Sequence, residues 1–239
     1  MSLARRRLLG GFGAAVAGLG LGVAATRLRP AAARRDDLLD AGGLLDAGGL
    51  LDAGGLIEVT QTPIEDLQQE HAVLERVLLV YAEALDRTDL SPALFGRAAR
   101  IVRRYIEDHH ERDEEHHVFP RLERVGVCVD LVAVLRRQHE AGRALTSHIL
   151  ATSAGTSVDR AAVHSFARMY RPHAARETTV LFPAFRRAVG QPEYDDLRAT
   201  LEVEEHRRFG GDAFAMMLAE VVELERELGL DDLASFTPT

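Results

Sequence analysis

The sequence contains one pattern twice: a His, a Glu four residues later, and a Phe-Pro pair that begins five residues after the Glu. The two copies lie within residues 110–120 and 173–183. Four residues make about one turn of an α-helix, so the His and the Glu of each copy project from the same helix face. Each copy therefore predicts a helix that can bind metal ions, and the candidate ligands are His110, Glu114, His173 and Glu177.

Composition restricts the ligands that a metal site in this chain can use. The 239 residues are 46% hydrophobic, which is enough for one well-buried domain with an appendage, and Cys128 is the only cysteine. A disulfide framework and a thiolate zinc site are both excluded. A metal site must therefore use His and carboxylate groups, and such ligands suit iron, manganese or zinc.

Charge is distributed unevenly along the chain. The formal net charge is −8, and every basic residue is Arg. Residues 1–35 hold seven Arg and no acidic residue, whereas the remainder carries 22 Arg against 37 acidic residues, a balance of −15. An acidic body argues against binding to a phosphate backbone, so we expect no nucleic-acid partner.

Residues 1–33 resemble an export signal. An arginine run at residues 5–7 precedes an apolar stretch that ends at residue 25, and residues 31–33 offer an A-x-A cleavage site. The run resembles the twin-arginine signal, although Ala4 stands where that signal usually has Ser or Thr. We expect a cleaved signal and an exported, periplasmic or otherwise extracytoplasmic protein. The alternative is an uncleaved N-terminal anchor, which would be the chain's one contact with a membrane; its 18 apolar residues are marginal for a span.

Residues 34–61 are predicted to be a Gly-rich spacer of low complexity. Leu-Leu-Asp-Ala-Gly-Gly occurs three times, starting at residues 38, 44 and 50. A six-residue period with paired glycines fits neither a good helix nor a heptad, and three copies are too few for a solenoid. We expect a flexible linker, with a β-helical hexapeptide turn as the alternative.

The remaining residues show helical spacing of apolar side chains and no convincing strand pattern. A capping box at Thr62-Pro63-Ile64-Glu65 predicts the start of helix 1. The five predicted helices span about 63–87, 92–125, 130–153, 158–189 and 193–228. Asp130 is the predicted cap of the third helix, and the fifth is predicted to break at Gly210-Gly211. Short connections imply antiparallel neighbours. The fold class is therefore all-α: an up-down-up-down four-helix bundle in residues 62–190, with a C-terminal helical extension in 191–239.

Two more histidines, His71 in helix 1 and His139 in helix 3, occupy positions on otherwise apolar helix faces. Counting from the helix ends at ~1.5 Å per residue places both at the depth of the repeated pairs, within roughly two turns. A single His on such a face is usually a hydrogen-bonded core residue. Six polar groups at one level would be expensive to bury without a cation. We therefore predict a dinuclear metal site formed by His71, His110, Glu114, His139, His173 and Glu177.

Four imidazoles would be terminal ligands of two ions in this site, and the two carboxylates would bridge them. Positions would remain for an oxo or hydroxo bridge and for a small ligand. His109 competes with His110, because neighbouring residues lie about 100° apart around a helix. Matching the two copies selects His110, whereas the other register would pair His109 with Asp113.

At these residues the chain resembles the hemerythrin-like, or HHE cation-binding, domain. The resemblance covers about residues 62–189 and rests on Glu70-His71, His110-x-x-x-Glu114-Glu115, Phe119-Pro120, His139-Glu140, His173-x-x-x-Glu177 and Phe182-Pro183. It implies a four-helix bundle that holds a non-haem di-iron centre, and hence two iron ions as cofactor.

The sequence departs from the oxygen-carrying members of that family at two places. They have a second His one turn after the helix 3 His, where this chain has Arg143, and a longer His-to-Asp spacing where it has His173 and Glu177. Four His and two Glu are closer to the branch that includes di-iron proteins of nitrosative stress and iron-cluster repair. The resemblance therefore implies a protein that binds or reacts with peroxide, nitric oxide or oxygen in oxidative or nitrosative stress, with a redox partner that the sequence does not identify.

Two other functions compete with this interpretation. One is non-catalytic binding or storage of oxygen or iron, and the other is a metal-free bundle that binds a partner through the fifth helix. The remaining titratable residues are not predicted to be ligands of the dinuclear site. We expect Glu111 and Glu115 beside the ligands or exposed. We expect surface or structural roles for His116, His117, His148, His164 and His206; the alternatives are a second, weaker metal site at His116 and His117, and a cap on the main site from the fifth helix at His206.

Overall fold

Six helices follow one another in the computed structural model, which describes residues 61–238. They are α1 (Pro63–Asp86), α2 (92–125), α3 (Val129–Ser153), α4 (160–188), α5 (Gln191–Phe209) and α6 (Ala213–Leu228), with a short 3₁₀ turn at Leu233–Phe236. This range contains no strand, which confirms the predicted all-α class. The predicted export signal and nearly all of the predicted spacer lie outside the described residues.

The predicted local signals set most helix ends. The capping box of α1 is formed: the Thr62 hydroxyl accepts the Glu65 backbone N–H, and the Glu65 carboxylate accepts the Thr62 N–H at 2.8 Å. Gly126 follows the last residue of α2 with a φ of 70°, a left-handed conformation that glycine adopts without a steric penalty.

One predicted helix cap is wrong, and one predicted helix break is confirmed. The cap of α3 is Cys128, with a φ of 55°, so Asp130 lies in the first turn, where its charge still favours the positive end of the helix dipole. The predicted break at Gly210-Gly211 divides the fifth helix into α5, which starts at Gln191, and α6: Gly210 has a φ of 75°, and the Asp212 side chain accepts the Ala215 N–H to begin α6.

The helices that carry the repeated pattern are wound more loosely there. In α2 the π-helical stretches are Val102–His110 and Glu114–Val118, and in α4 the stretch is Glu177–Leu181. Two of these begin at the Glu of the pattern and end immediately before its Phe-Pro pair. A proline has no backbone N–H to continue the hydrogen-bond ladder, which favours a local rearrangement of this kind. The two copies therefore share a backbone conformation as well as a sequence.

The first four helices form a closed ring in which α1 contacts α2 and α4, and α3 contacts α2 and α4. The predicted ligands occupy one level of this ring, between two apolar clusters. The larger cluster includes Phe95, Phe166 and residues of α6, and the smaller includes Phe119, Phe182 and residues of α5. Within residues 61–238 no helix is both long and apolar enough to cross a membrane.

The C-terminal helices are joined to the ring by polar as well as apolar contacts. Met217 and Val221 of α6 are fully buried against the larger cluster. Glu225 is buried beside them and accepts two hydrogen bonds from the Arg76 guanidinium, one of them at 2.8 Å. Burial raises the cost of separating such a pair, so α6 is fixed to α1.

Candidate metal centre

The structure brings the six predicted ligand residues together. Their donor atoms form two overlapping groups, and within each group the atoms lie no more than 4.8 Å from one another. Glu114 and Glu177 belong to both groups. His71 and His110 complete one group, and His139 and His173 complete the other. Two shared carboxylates between two pairs of imidazoles form the donor set that a pair of metal ions requires.

In each of the four imidazoles, the ring nitrogen that faces away from the cluster makes a hydrogen bond. The Nδ1 atoms make hydrogen bonds to side chains outside the cluster: His71 to Thr178 at 2.9 Å, His110 to Glu70 at 2.7 Å, His139 to Glu115 at 2.8 Å and His173 to Gln138 at 2.9 Å. These partners fix the orientation of the four rings and leave each Nε2 lone pair free for a metal.

All four Nε2 atoms point at the shared carboxylates. The Nε2 atoms of His71 and His173 lie 3.2 and 3.0 Å from oxygens of Glu177. The Nε2 atoms of His110 and His139 lie 3.7 and 3.5 Å from one oxygen of Glu114. The donor atoms therefore converge on a common space.

The two carboxylates are poorly compensated by the protein alone. Glu114 and Glu177 are 0% exposed, and their four oxygens have no hydrogen-bond partner within the described range. Burial, and next the charge of Glu177, raise the pKa of Glu114 well above its ordinary value. Burial also acts to raise the pKa of Glu177, but the neighbouring imidazoles, His173 foremost, lower it well below the ordinary value. Two buried carboxylates this close together are both ionised only beside a cation, so the residues present fit a metal pair.

The hemerythrin HHE cation binding domain matches residues 62–185, the range that holds all six donor residues. The chain belongs to the hemerythrin family. Two proteins of Mycobacterium tuberculosis strains and one of Mycobacterium bovis are each 44% identical to this hemerythrin-like chain over 194 residues, covering 76% of it and 76% of the relative. All three are described as uncharacterized proteins. No solved structure matches the chain.

His109 and His110 are both buried in this hemerythrin-like site, although sequence reasoning treated them as alternatives. His110 lies among the donors, whereas His109 lies behind it, between Glu70 and Asp113. Its Nε2 is 2.9 Å from Glu70 Oε1, and its Nδ1 is 3.2 Å from Asp113 Oδ2. His109 and Asp113, the pair predicted as the alternative to His110 and Glu114, thus contact each other outside the donor cluster.

Glu70 is the residue that the sequence reasoning overlooked. Its two oxygens accept hydrogen bonds from both histidines. Burial acts to raise the pKa of Glu70, but these bonds lower it to about 2. Burial acts to lower the pKa of His109, but the bonds to Asp113 and Glu70 raise it to about 10. His109 is therefore an imidazolium between two carboxylates. The only sequence signal for Glu70 is its place beside His71 in the family motif.

Arg143, which occupies the place of the additional His of oxygen carriers, does not enter the donor cluster. Its guanidinium lies 2.8 Å from Glu115 and 2.9 Å from Glu111. Glu111 is fully buried and also accepts a hydrogen bond from the Tyr170 hydroxyl, so it is not exposed. Gly142 makes room for that hydroxyl, since a Cβ there would lie 2.7 Å from Tyr170 Cζ and nearer still to the oxygen.

The other histidines lie away from the donor cluster. His116, His164 and His206 are exposed, and His148 pairs with Asp159 at 2.8 Å on the surface. His117 is half-buried, with Nε2 3.4 Å from Glu204 Oε1. His206 lines a cavity of about 430 Å³ that is rich in acidic side chains and reaches Glu70, but it does not cap the site as a ligand.

Proposed function

We propose that this chain is a non-haem di-iron protein that binds or reacts with peroxide, nitric oxide or oxygen in oxidative or nitrosative stress. The observation that carries the proposal is the pair of overlapping donor groups, each with two inward Nε2 atoms and two shared carboxylates. Each ion would have four protein ligands, so positions remain for a small molecule. Bound iron would supply the redox chemistry.

The chain's own residues have three roles in this proposal. Glu114 and Glu177, which belong to both donor groups, would help to hold both ions and offset their charge. The Nδ1 partners, such as Glu70, hold the rings so that the site does not have to reorganise on binding. The buried walls exclude bulk water, since no donor residue is more than 6% exposed.

The orientation of Arg143 favours reaction over reversible oxygen carriage. Because its guanidinium pairs with Glu111 and Glu115, Arg143 would not hold an ion, and His139 is the residue of α3 among the six donors. Bound iron with so few protein ligands would supply the redox chemistry for peroxide or nitric oxide. Non-catalytic binding of oxygen or iron remains the second candidate, because the four-helix donor set is common to both functions.

Metal content tests the ligand assignment. We expect the purified protein to bind two iron ions per chain. His110→Ala and Glu177→Ala should lose iron, whereas His206→Ala, which removes an exposed imidazole, should retain both ions. Equal iron content in the three variants would show that the assigned residues are not the ligands.

Turnover separates the two candidate functions. The iron-loaded protein should consume peroxide or nitric oxide faster than the same concentration of free iron. Turnover no faster than free iron would refute the reactive function. A visible absorption band that appears with oxygen and disappears on degassing would support the non-catalytic alternative, and rapid irreversible oxidation would count against it.

We also propose that the protein is exported through its N-terminal segment. The twin arginines, the apolar stretch and the A-x-A site support this assignment. Replacement of Arg5 and Arg6 by Lys should leave the protein in the cytoplasm with its N-terminus intact. Mass spectrometry of the fractionated protein would check both points, and unchanged export and cleavage in that variant would refute the twin-arginine route.

A further inference from the structure

A second group of possible metal ligands lies between α2 and α5 and shares no residue with the six-residue centre. Asp113 and His117 are four residues apart on α2, and Glu204 comes from α5. One atom from each, a carboxylate oxygen or a ring nitrogen, lies within 4.8 Å of the others. The Nε2 of His117 is 3.4 Å from Oε1 of Glu204.

Asp113 is a buried carboxylate with a partner for only one of its two oxygens. Its side chain is 3% exposed. One oxygen, Oδ2, lies 3.2 Å from His109 Nδ1, whereas the other, Oδ1, has no hydrogen-bond partner in residues 61–238. The buried Nε2 of His117 also has none there. Unpaired polar atoms are rare in protein interiors because each one loses its hydration without compensation. Two such atoms in one small cluster point to a missing ligand.

We propose that Asp113, His117 and Glu204 bind one divalent transition-metal cation, which links the C-terminal helix α5 to α2. One imidazole and two carboxylates suit zinc, manganese or ferrous iron, and the two carboxylates offset the charge of the ion. Ligand bonds of 2.0–2.2 Å in a tetrahedral site place two donor atoms about 3.4 Å apart, and the Nε2 of His117 already lies 3.4 Å from Oε1 of Glu204. The third donor atom, from Asp113, lies within 4.8 Å of the other two, and the partly exposed Glu204 side chain can move to close the set.

The surroundings of the cluster set its strength. His117 and Glu204 line a cavity of about 430 Å³, so water can complete the coordination of a metal. Arg112, Arg207 and Arg208 line the same cavity and oppose the approach of a cation. We therefore expect this site to release its metal to a chelator before the dinuclear centre does. The contact of His109 with one Asp113 oxygen holds that carboxylate in place, as outer partners of metal ligands do.

Cation counting on the full-length chain tests the proposal. Metal-free protein is saturated with Zn²⁺, separated from unbound metal and analysed by elemental mass spectrometry. We expect three Zn²⁺ per chain for wild type and for His164→Ala, which removes an exposed His on α4. His117→Ala and Glu204→Gln should each bind one fewer, with an unchanged helical circular dichroism spectrum.

The readout is independent of the dinuclear centre. If that centre bound no zinc, wild type would bind one ion and the two variants none, so the loss of one ion would still be seen. Equal counts in wild type, His117→Ala and Glu204→Gln would overturn the proposal. It would also be overturned if inorganic phosphate bound to wild type and not to Arg207→Ala while the zinc counts stayed equal, because the cavity would then be an anion site.

Discussion

Replacement of Glu70 by Gln should weaken one of the two metal sites without removing a ligand. The Glu70 carboxylate accepts the Nδ1–H of His110 at 2.7 Å and the Nε2–H of His109 at 2.9 Å. Glutamine keeps the shape of the side chain but offers one acceptor oxygen in place of two, and it carries no charge. Either His110 loses its outer acceptor, or it keeps a neutral acceptor that makes the imidazole less basic.

The expected size follows from the cost of removing an outer hydrogen-bond partner, which is about 10–100-fold in metal affinity. Each tenfold change corresponds to about 1.4 kcal/mol, so the expected loss is about 1.4–2.8 kcal/mol. The effect should fall on the ion that His110 and His71 bind. The ion bound by His139 and His173 should retain most of its affinity, because its outer partners are Glu115 and Gln138.

Competition with a chelator of known affinity measures this effect. In chains that also carry His117→Ala, which removes the proposed third site, anaerobic titration with Fe²⁺ should resolve two equivalents when Glu70 is intact and one weakened equivalent in Glu70→Gln, with the stoichiometry at saturation unchanged. Glu75→Gln is the matched control, because Glu75 is exposed on the same helix. Wild-type affinity in Glu70→Gln, or an equal loss in the Glu75 control, would refute the role given to the outer carboxylate.

Three further predictions concern stability. Gly142→Ala should destabilise the fold by about 1–3 kcal/mol in urea unfolding, because its Cβ would overlap the buried Tyr170 ring. Gly211→Ala is the control, because no atom lies within 4 Å of a Cβ added there. Equal stability of the two variants would contradict the argument. Thr62→Ala should cost about 0.5–2 kcal/mol by removing the α1 cap, measured in the same assay. Removal of metal by a chelator should lower the Tm, because the buried carboxylates lose the cation that compensates them, and an unchanged Tm would exclude a metal at this position.

Helix positions and the level of the donor cluster could be predicted because their signals are local. The Thr62 cap, the Gly126 stop and the break at Gly210 are each determined by a few neighbouring residues. The convergence of His71 and His139 with the repeated pairs required only residue counts in antiparallel helices. Such counts are reliable because the rise per residue is fixed and the connections are short.

The outer layer of the site could not be predicted because it depends on side chains from different helices. Glu70 and His109 are brought together across the α1–α2 interface, and helical periodicity cannot show that both would be buried beside His110. A carboxylate next to a predicted ligand is usually solvated, so burial had to be seen in three dimensions. The Cys128 cap was missed for another reason: a non-glycine residue rarely adopts a positive φ, and sequence patterns do not anticipate one.

The arrangement of outer partners gives the two proposed ions matched surroundings. In each donor group, the Nδ1 of one imidazole is hydrogen-bonded to a carboxylate: His110 to Glu70 and His139 to Glu115. The Nδ1 of the other imidazole is hydrogen-bonded to a neutral oxygen, from Thr178 or Gln138. A carboxylate partner makes an imidazole a stronger donor, so each ion would receive one strong and one ordinary imidazole beside the same two bridging carboxylates. Two iron ions held in such matched surroundings would supply similar redox chemistry. The matched pairs therefore support the reactive function more than simple storage, in which the two ions need not be alike.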